Sequence, residues 1–472
     1  MPQSDQSERS ARTERIDDAA APAGGALSGE ACGAPSGETF GTPGGEAFGT
    51  PGGEAFGAPG GEAFGTPSGE AFGLAGTRSL SRRRFAQLFG AGAAAAGAAG
   101  LAAAVPAGAA ALLRGAPAGW RGTAALPGVL GVPAAVAVRP GDVVRLSSNE
   151  NPYGPSAAAF DAMREAFGLA WRYPDEHLDA LAEDLARLHG VERGQVLLGA
   201  GSSEILQLAA LAFTAPGRPV VVAEPTFESL PRHARHHGAE ALAVPLTADY
   251  RHDLPKMLAA APDPGLLYVC NPNNQTASIT PKAELRSLLA RVPERTVVLV
   301  DEAYHHFVED RDYESVLPLV AAHPNLLVTR TFSKIYGMAG MRCGYGVAQP
   351  ALISRLSEHQ ARDSVNVLGL AAARASLRDA DQVSRGRRLN REVKTALYGE
   401  LDRLGLAYIR SEANFLMIDV RRPVPPVIQA LRGRNVEVGR EFPALPHHLR
   451  VTIGTTEQMQ AFVAAFRQVM AA

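Results

Sequence analysis

From about Val138 to the C-terminus, short apolar runs alternate with amphipathic stretches, the pattern of a chain that builds a sheet and covers it with helices. Residues 196–198, 220–223, 266–270, 297–300, 326–329 and 345–347 read as strands. Several are apolar at every position, as strands are when both faces of the sheet are covered. Between them HLDALAEDLARLHG puts Leu178, Leu181, Leu185 and Leu188 on one helical face, with Gly190 as the stop. The pattern predicts an α/β fold: a large three-layer αβα domain with a mainly parallel sheet, over 174–353. A smaller α/β C-terminal domain over 354–472 contains strands at NFLMIDV and RVTIGTT and a terminal helix after Glu457, and residues 138–173 form its N-terminal part.

The first part of the chain follows no such pattern. Residues 28–75 repeat an octad of the form GGEAFGTP with one phenylalanine per repeat (Phe40, Phe48, Phe56, Phe64, Phe72). So little apolar surface does not offset the entropy of ordering the backbone, and residues 1–80 are expected to be disordered. A partner-binding array, or a start codon further along, are the other readings of this stretch. Residues 81–115 open with SRRRF and continue for some thirty residues without a charge. They resemble a twin-arginine export signal, with Ser81, Arg82, Arg83 and Phe85 matching its core and Ala107 or Ala109 as cleavage points. The run is also long enough to serve as a membrane anchor. An exported, periplasmic or extracytoplasmic, enzyme that uses the twin-arginine export machinery follows from that signal, and a cytoplasmic one if the reading is wrong. Residues 116–137 read as a linker.

Composition narrows the function. A formal net charge of -2 gives no sign of a nucleic-acid partner. Outside the repeat, which holds Cys32, the cysteines are Cys270 and Cys343, too few for a disulfide framework and read as small core residues. His233, His236 and His237 have helical spacing but no acidic or cysteine partner nearby, and read as a solvated face rather than a metal site.

Candidate chemistry is concentrated where strands end. LLGAGSSEILQ runs from strand through a glycine turn into a helix, where unpaired amides of Gly201, Ser202 and Ser203 favour an anion. EPTF brings Phe227 to the end of the next strand. VCNPNNQTAS follows a third, VVLVDEAY ends a fourth at Asp301 with Tyr304 three residues on, and TRTFSKIYGMAGMRCGYG carries Thr331, Ser333, Lys334 and Arg342 after a fifth. Later, SEANF holds Asn414, VGREF Arg440 and HHLRVTIGT Arg450. Each has an ordinary reading by itself: a surface lysine, a helix-capping aspartate, an asparagine turn, a core phenylalanine, a solvated arginine.

In this order, however, the stretches from about Arg145 onward resemble fold-type I aminotransferases that use pyridoxal 5'-phosphate, and among them the histidinol-phosphate aminotransferases. The resemblance implies that Lys334 binds the cofactor through an imine and that Arg342, with Thr331, Ser333 and the Gly201–Ser202–Ser203 turn, holds its phosphate. It assigns Asp301 to the ring nitrogen, Tyr304 and Asn274 to the phenolic oxygen and Phe227 to the ring face. Arg450 is matched with the substrate carboxylate, and Asn414 with a place beside the substrate. Arg440 is the best candidate for a second anionic group. LSSNENPYGPS and RYPD match the family's N-terminal segment, where Tyr173 would reach the cofactor phosphate of a neighbouring subunit, so a homodimer is implied. The expected reaction moves an amino group from an amino donor to a 2-oxo acid acceptor. A lyase or decarboxylase on the same fold is the competing chemistry. A cofactor-binding protein without turnover is suggested only by Gln275 and Ala277, which stand where the family's NPNNPTG loop has proline and glycine.

Overall fold

The computed structural model describes residues 142–471. The octad repeat, the twin-arginine segment and the linker lie outside them. The strands are β1 (Val144–Leu146), β2 (Val196–Gly199), β3 (Val220–Glu224), β4 (Ala241–Pro245), β5 (Leu266–Cys270), β6 (Val297–Asp301), β7 (Leu326–Thr331), β8 (Gly344–Ala348), β9 (Tyr408–Ile409), β10 (Phe415–Asp419), β11 (Val436–Val438) and β12 (His448–Thr452).

A seven-stranded sheet in the order β2-β8-β7-β6-β5-β3-β4 forms the large domain. Its neighbours are parallel except around β8, which is antiparallel to both β7 and β2. The apolar runs are explained by cover on both faces: along β6, Val298 and Val300 join one core cluster while Val297 and Leu299 join another across the sheet. β5, β6 and β7 all end at one edge, so the segments that follow them share a crevice beyond the strands' carboxyl ends, the place where such sheets bind ligands.

The small lobe has its own core around Leu416, Ile418, Leu449, Val451, Phe462 and Phe466. β10 pairs antiparallel with β12 and β9, and β1, at the start of the described residues, pairs in parallel with β11. β1 and β11 were not anticipated. Each is three residues with a charge at its centre, and they are aligned so that Arg145 stands opposite Glu437.

Two expected boundaries move. Only the β1 segment of 138–173 joins the small lobe: helix Ala157–Ala166 buries Ala159 and Met163 in the large-domain core. At the other end, helices Pro350–Ser357 and Val367–Arg378 bury Leu352, Leu356 and Leu370 against the large sheet. The small-lobe core begins only at Val393, in helix Gln382–Arg403. Helical periodicity reports that a face is buried, not which sheet it covers. Leu188 is a smaller correction. It is 58% exposed at the end of helix Asp175–His189, although it lies on the face of the buried Leu181 and Leu185.

Candidate functional site

The crevice beyond β5, β6 and β7 brings together Ser202, Ser203, Phe227, Asn274, Asp301, Tyr304, Thr331, Ser333, Lys334 and Arg342, with Cys270 also on its wall. Both Cys270 and Cys343 are free and buried.

One end of the crevice is built for an anion. Helix Ser202–Phe213 starts there, preceded by Gly201 at φ 80°, a backbone conformation that favours glycine. A Cβ on Gly201 would lie 2.4 Å from Arg342 Nη2, and one on Gly344 2.3 Å from the Ser202 amide nitrogen, so both glycines keep this cradle open. Thr331 Oγ1 donates to Ser333 Oγ at 2.9 Å, and Arg342 Nη1 lies 3.4 Å from the same Ser333 oxygen. Hydroxyls, a guanidinium and helix-start amides are the donor set of a phosphate site.

Asp301 closes the opposite side. It is 2% exposed, accepts from Tyr268 Oη at 3.0 Å and from the Ala303 amide at 3.1 Å, and burial pushes its carboxyl up to about 6 despite those bonds. Such a carboxylate fits a cationic partner within the crevice, and the sign of its effect on stability can be tested. A folded-state value above the unfolded one contributes stability that is complete at low pH and is lost as pH rises through about 6. Without a bound cation, Asp301→Asn is therefore expected to match the wild type near pH 4 and to exceed it by roughly 2–3 kcal/mol at pH 8. Urea unfolding at the two pH values measures this, and equal stability at pH 8 would contradict it.

Lys334 follows β7 and donates from Nζ to the Asn149 carbonyl at 3.0 Å, with Nζ 5.4 Å from the Tyr304 ring centre. Burial first, then the charge of Arg450, pull its amine down to about 8, against the opposing pull of Glu150 and Asp301. A substantial fraction is thus neutral at ordinary pH. That is what a nucleophile or proton carrier requires. Tyr304 is buried, and burial pushes its phenol well up. Its hydroxyl accepts from Asn149 Nδ2 at 3.1 Å.

Asn149 was missed by sequence reasoning and is the hub of the site. Its amide donates to Thr452 Oγ1 at 2.9 Å, its side chain reaches Tyr304, and its carbonyl accepts from both Lys334 and Asn414, the latter at 3.1 Å. A left-handed backbone at φ 55° allows these bonds to point in different directions. The SNENPYG segment was the available signal, but nothing in it singles out this asparagine.

The other predicted residues are placed as follows. Arg450, on β12, is half-buried, and it bonds the neutral acceptors Asn274 Oδ1 at 3.2 Å and Ser147 O at 2.9 Å, leaving Nε buried without a partner. Asn414 Oδ1 is likewise buried and unpartnered. Arg440 lies further out, paired with Glu228 at 2.5 Å. Tyr173 is 81% exposed and is not brought into the crevice. Of the three histidines, His236 is exposed, while His237 is half-buried and 3.3 Å from Thr214 Oγ1.

Known proteins resemble this chain in sequence and fold. The profile of the family described as "Aminotransferase class I and II" matches residues 141–466. A histidinol-phosphate aminotransferase of Symbiobacterium thermophilum is 46% identical, over 69% of this chain and 90% of its own length. The solved histidinol-phosphate aminotransferase of Sinorhizobium meliloti, in complex with pyridoxal 5'-phosphate, is 27% identical with a TM-score of 0.65, over 70% of this chain and 92% of that one. The L-threonine-O-3-phosphate decarboxylase of Porphyromonas gingivalis has a TM-score of 0.62 at 22% identity, over 70% of this chain and all of that one (100%), a likeness of fold.

Proposed function

This chain belongs to the class I and II aminotransferases and works with pyridoxal 5'-phosphate, and from that premise we propose that it transfers the amino group of histidinol phosphate to a 2-oxo acid. The observation that carries this reading is Arg450: a half-buried guanidinium beside Lys334 whose buried Nε has no partner is a place for a substrate anion.

The residues present fit the cofactor. Its phosphate would be held by Arg342, Thr331, Ser333 and the amides that follow Gly201, its ring nitrogen by Asp301, and its ring face by Phe227. Tyr304 and Asn274 would hold the phenolic oxygen. When bound, the group supplies an aldehyde for amines and a protonated ring that accepts the electron pair left at the substrate α-carbon. Asp301, buried, would keep the proton on that ring nitrogen. Lys334 Nζ, its amine pulled down to about 8, would accept the proton of the substrate α-carbon and carry it through the 1,3 shift that transamination requires. Arg450 orients the carboxylate of the 2-oxo acid through its planar fork, and Asn414 lies beside it. Arg440 completes the site for the phosphate of the donor.

We place a second copy of the chain against the exposed Phe167, Trp171 and Tyr173, which stand 59%, 79% and 81% exposed in one short stretch. In that homodimer Tyr173 reaches the partner's cofactor phosphate.

Half-reactions with a panel of amines test the substrate. Histidinol phosphate should be consumed faster than aromatic and basic amino acids, and Arg440→Ala should erase the preference. A second reading rests on SRRRF. If the twin-arginine machinery carries the enzyme out of the cytoplasm, a phosphorylated donor made inside does not follow it across the membrane unaided, and the donor is then an unphosphorylated amino acid held by Arg450. Replacing Arg82 and Arg83 by Lys should retain a tagged chain in the cytoplasm. A wild-type chain found wholly in the cytoplasm refutes export and leaves the first reading in place.

A further inference from the structure

Gln275, where the family pattern has a proline, is 4% exposed and sits in the loop that carries Asn274. Its Nε2 lies 3.3 Å from Glu228 Oε1 and 3.4 Å from the Thr226 carbonyl. Both partners are acceptors, so the amide nitrogen must face them, and Oε1 is left buried without a partner. A proline at 275 would provide no donor. The same Glu228 oxygen accepts from Arg440 Nη2 at 2.5 Å. Arg440 and Arg450 both lie against Phe442, their guanidinium carbons 4.5 and 4.9 Å from its ring centre. Three segments around the crevice are thus joined through one carboxylate: the Asn274 loop, the Phe227 segment and the Arg440–Phe442 turn.

We propose that Glu228, tethered by Gln275, is a specificity-determining counter-ion that occupies Arg440 until the distal anion of a substrate takes its place. The inference rests on the reading of Arg440 as facing the donor's phosphate. With Glu228 in place, a donor lacking a distal anion meets an arginine already neutralised, and is tolerated. An anionic donor must displace the carboxylate, which Gln275 continues to hold, so part of the attraction of Arg440 is spent in the exchange. Discrimination between anionic and neutral donors is then set by residue 228 as much as by Arg440. The pair is about half exposed on both sides, so screening keeps the effect modest.

The test uses the holoenzyme with histidinol phosphate, histidinol, and inorganic phosphate as an inhibitor. In Glu228→Gln the KM for histidinol phosphate and the inhibition constant for phosphate should both fall about two- to five-fold, while the KM for histidinol and both kcat values hold. The gain should fade in 0.5 M salt. Gln275→Leu should shift the same quantities in the same direction by less, and Glu228→Asp, which keeps the charge, should stay near the wild type. Equal changes for both donors in Glu228→Gln, or unchanged phosphate inhibition, overturn the proposal. Arg440→Ala separates the two failures. If it abolishes the preference for histidinol phosphate while Glu228→Gln changes nothing, Arg440 remains in the site and the counter-ion role is refuted. If Arg440→Ala changes nothing, the reading of Arg440 fails and the proposal with it.

Discussion

Lys334→Ala should lower the rate of amino transfer by at least about 10²–10⁴-fold, the usual contribution of one positioned proton-transfer group, with loss of the nucleophile added to it. No other amine takes its place, because Lys394, the buried lysine among the described residues, donates to the Ser411 carbonyl next to the small-lobe core. Borohydride reduction of the loaded wild type followed by peptide mapping should fix the cofactor on Lys334, and the variant should yield no such peptide. The pH dependence adds a second check. The neutral fraction of the Lys334 amine grows as pH rises through about 8, so cofactor-free wild type should capture added pyridoxal 5'-phosphate faster with rising pH and level off above that value. A rate flat from pH 6 to 9 would mean the amine is not depressed as its surroundings imply.

Arg330→Met should be the most destabilising of the substitutions considered, by about 3–5 kcal/mol, because it strands a buried carboxylate. Glu302 and Arg330 have side chains 1% and 8% exposed. Glu302 Oε2 accepts from Arg330 Nε at 3.0 Å and Nη2 at 2.7 Å, and its other oxygen accepts from the Val316 amide at 2.8 Å. His189, His305 and His306 lie nearby, all held neutral by burial, with His189 down to about 4 and His305 to about 3. None offers a replacement charge near pH 7. Adding Glu302→Gln to Arg330→Met should recover much of the loss, since the stranded charge is removed with its partner. Urea midpoints of the cofactor-free proteins decide the matter, and a double variant no better than the single one would show that packing, not charge, is the cause. Function should suffer as well, since Glu302 follows Asp301 and Arg330 precedes Thr331.

Much of this was legible in the sequence because it is local. The apolar runs of β5, β6 and β7 identify strands covered on both faces, and the polar residues that follow each run are the ones that meet in the crevice. Lys334, Asp301, Arg342 and the Gly201 turn all sit within a few residues of such a run. What was not legible depends on distant partners. Asn149 derives its role from Tyr304, Thr452 and Asn414, none near it in sequence. Asn149 also escaped notice as a partner of Tyr304, whose hydroxyl its side chain bonds, and the bond that Asn274 Oδ1 accepts from Arg450 joins residues 176 positions apart. Tyr268 disappears into an apolar run although its hydroxyl bonds Asp301. Helices 157–166 and 367–378 were given to the wrong lobe because amphipathicity is silent about partners. The charged centres of β1 and β11 broke the apolar pattern, yet they face each other.

The bond from the Asn149 amide to Thr452 has a consequence in time. It spans 303 positions of sequence, and at about 5–20 residues per second a ribosome takes roughly 15–60 s to make the stretch between them. Throughout that interval the hub that bonds Lys334 and Tyr304 lacks one of its anchors, and β1 waits for β11. The emerging chain can form much of its large sheet early, but the crevice is finished only after β12, the last strand of the described residues, has left the ribosome. Cofactor capture therefore waits for β12, and until then its competitor in the cell is whatever acts on a still unloaded polypeptide.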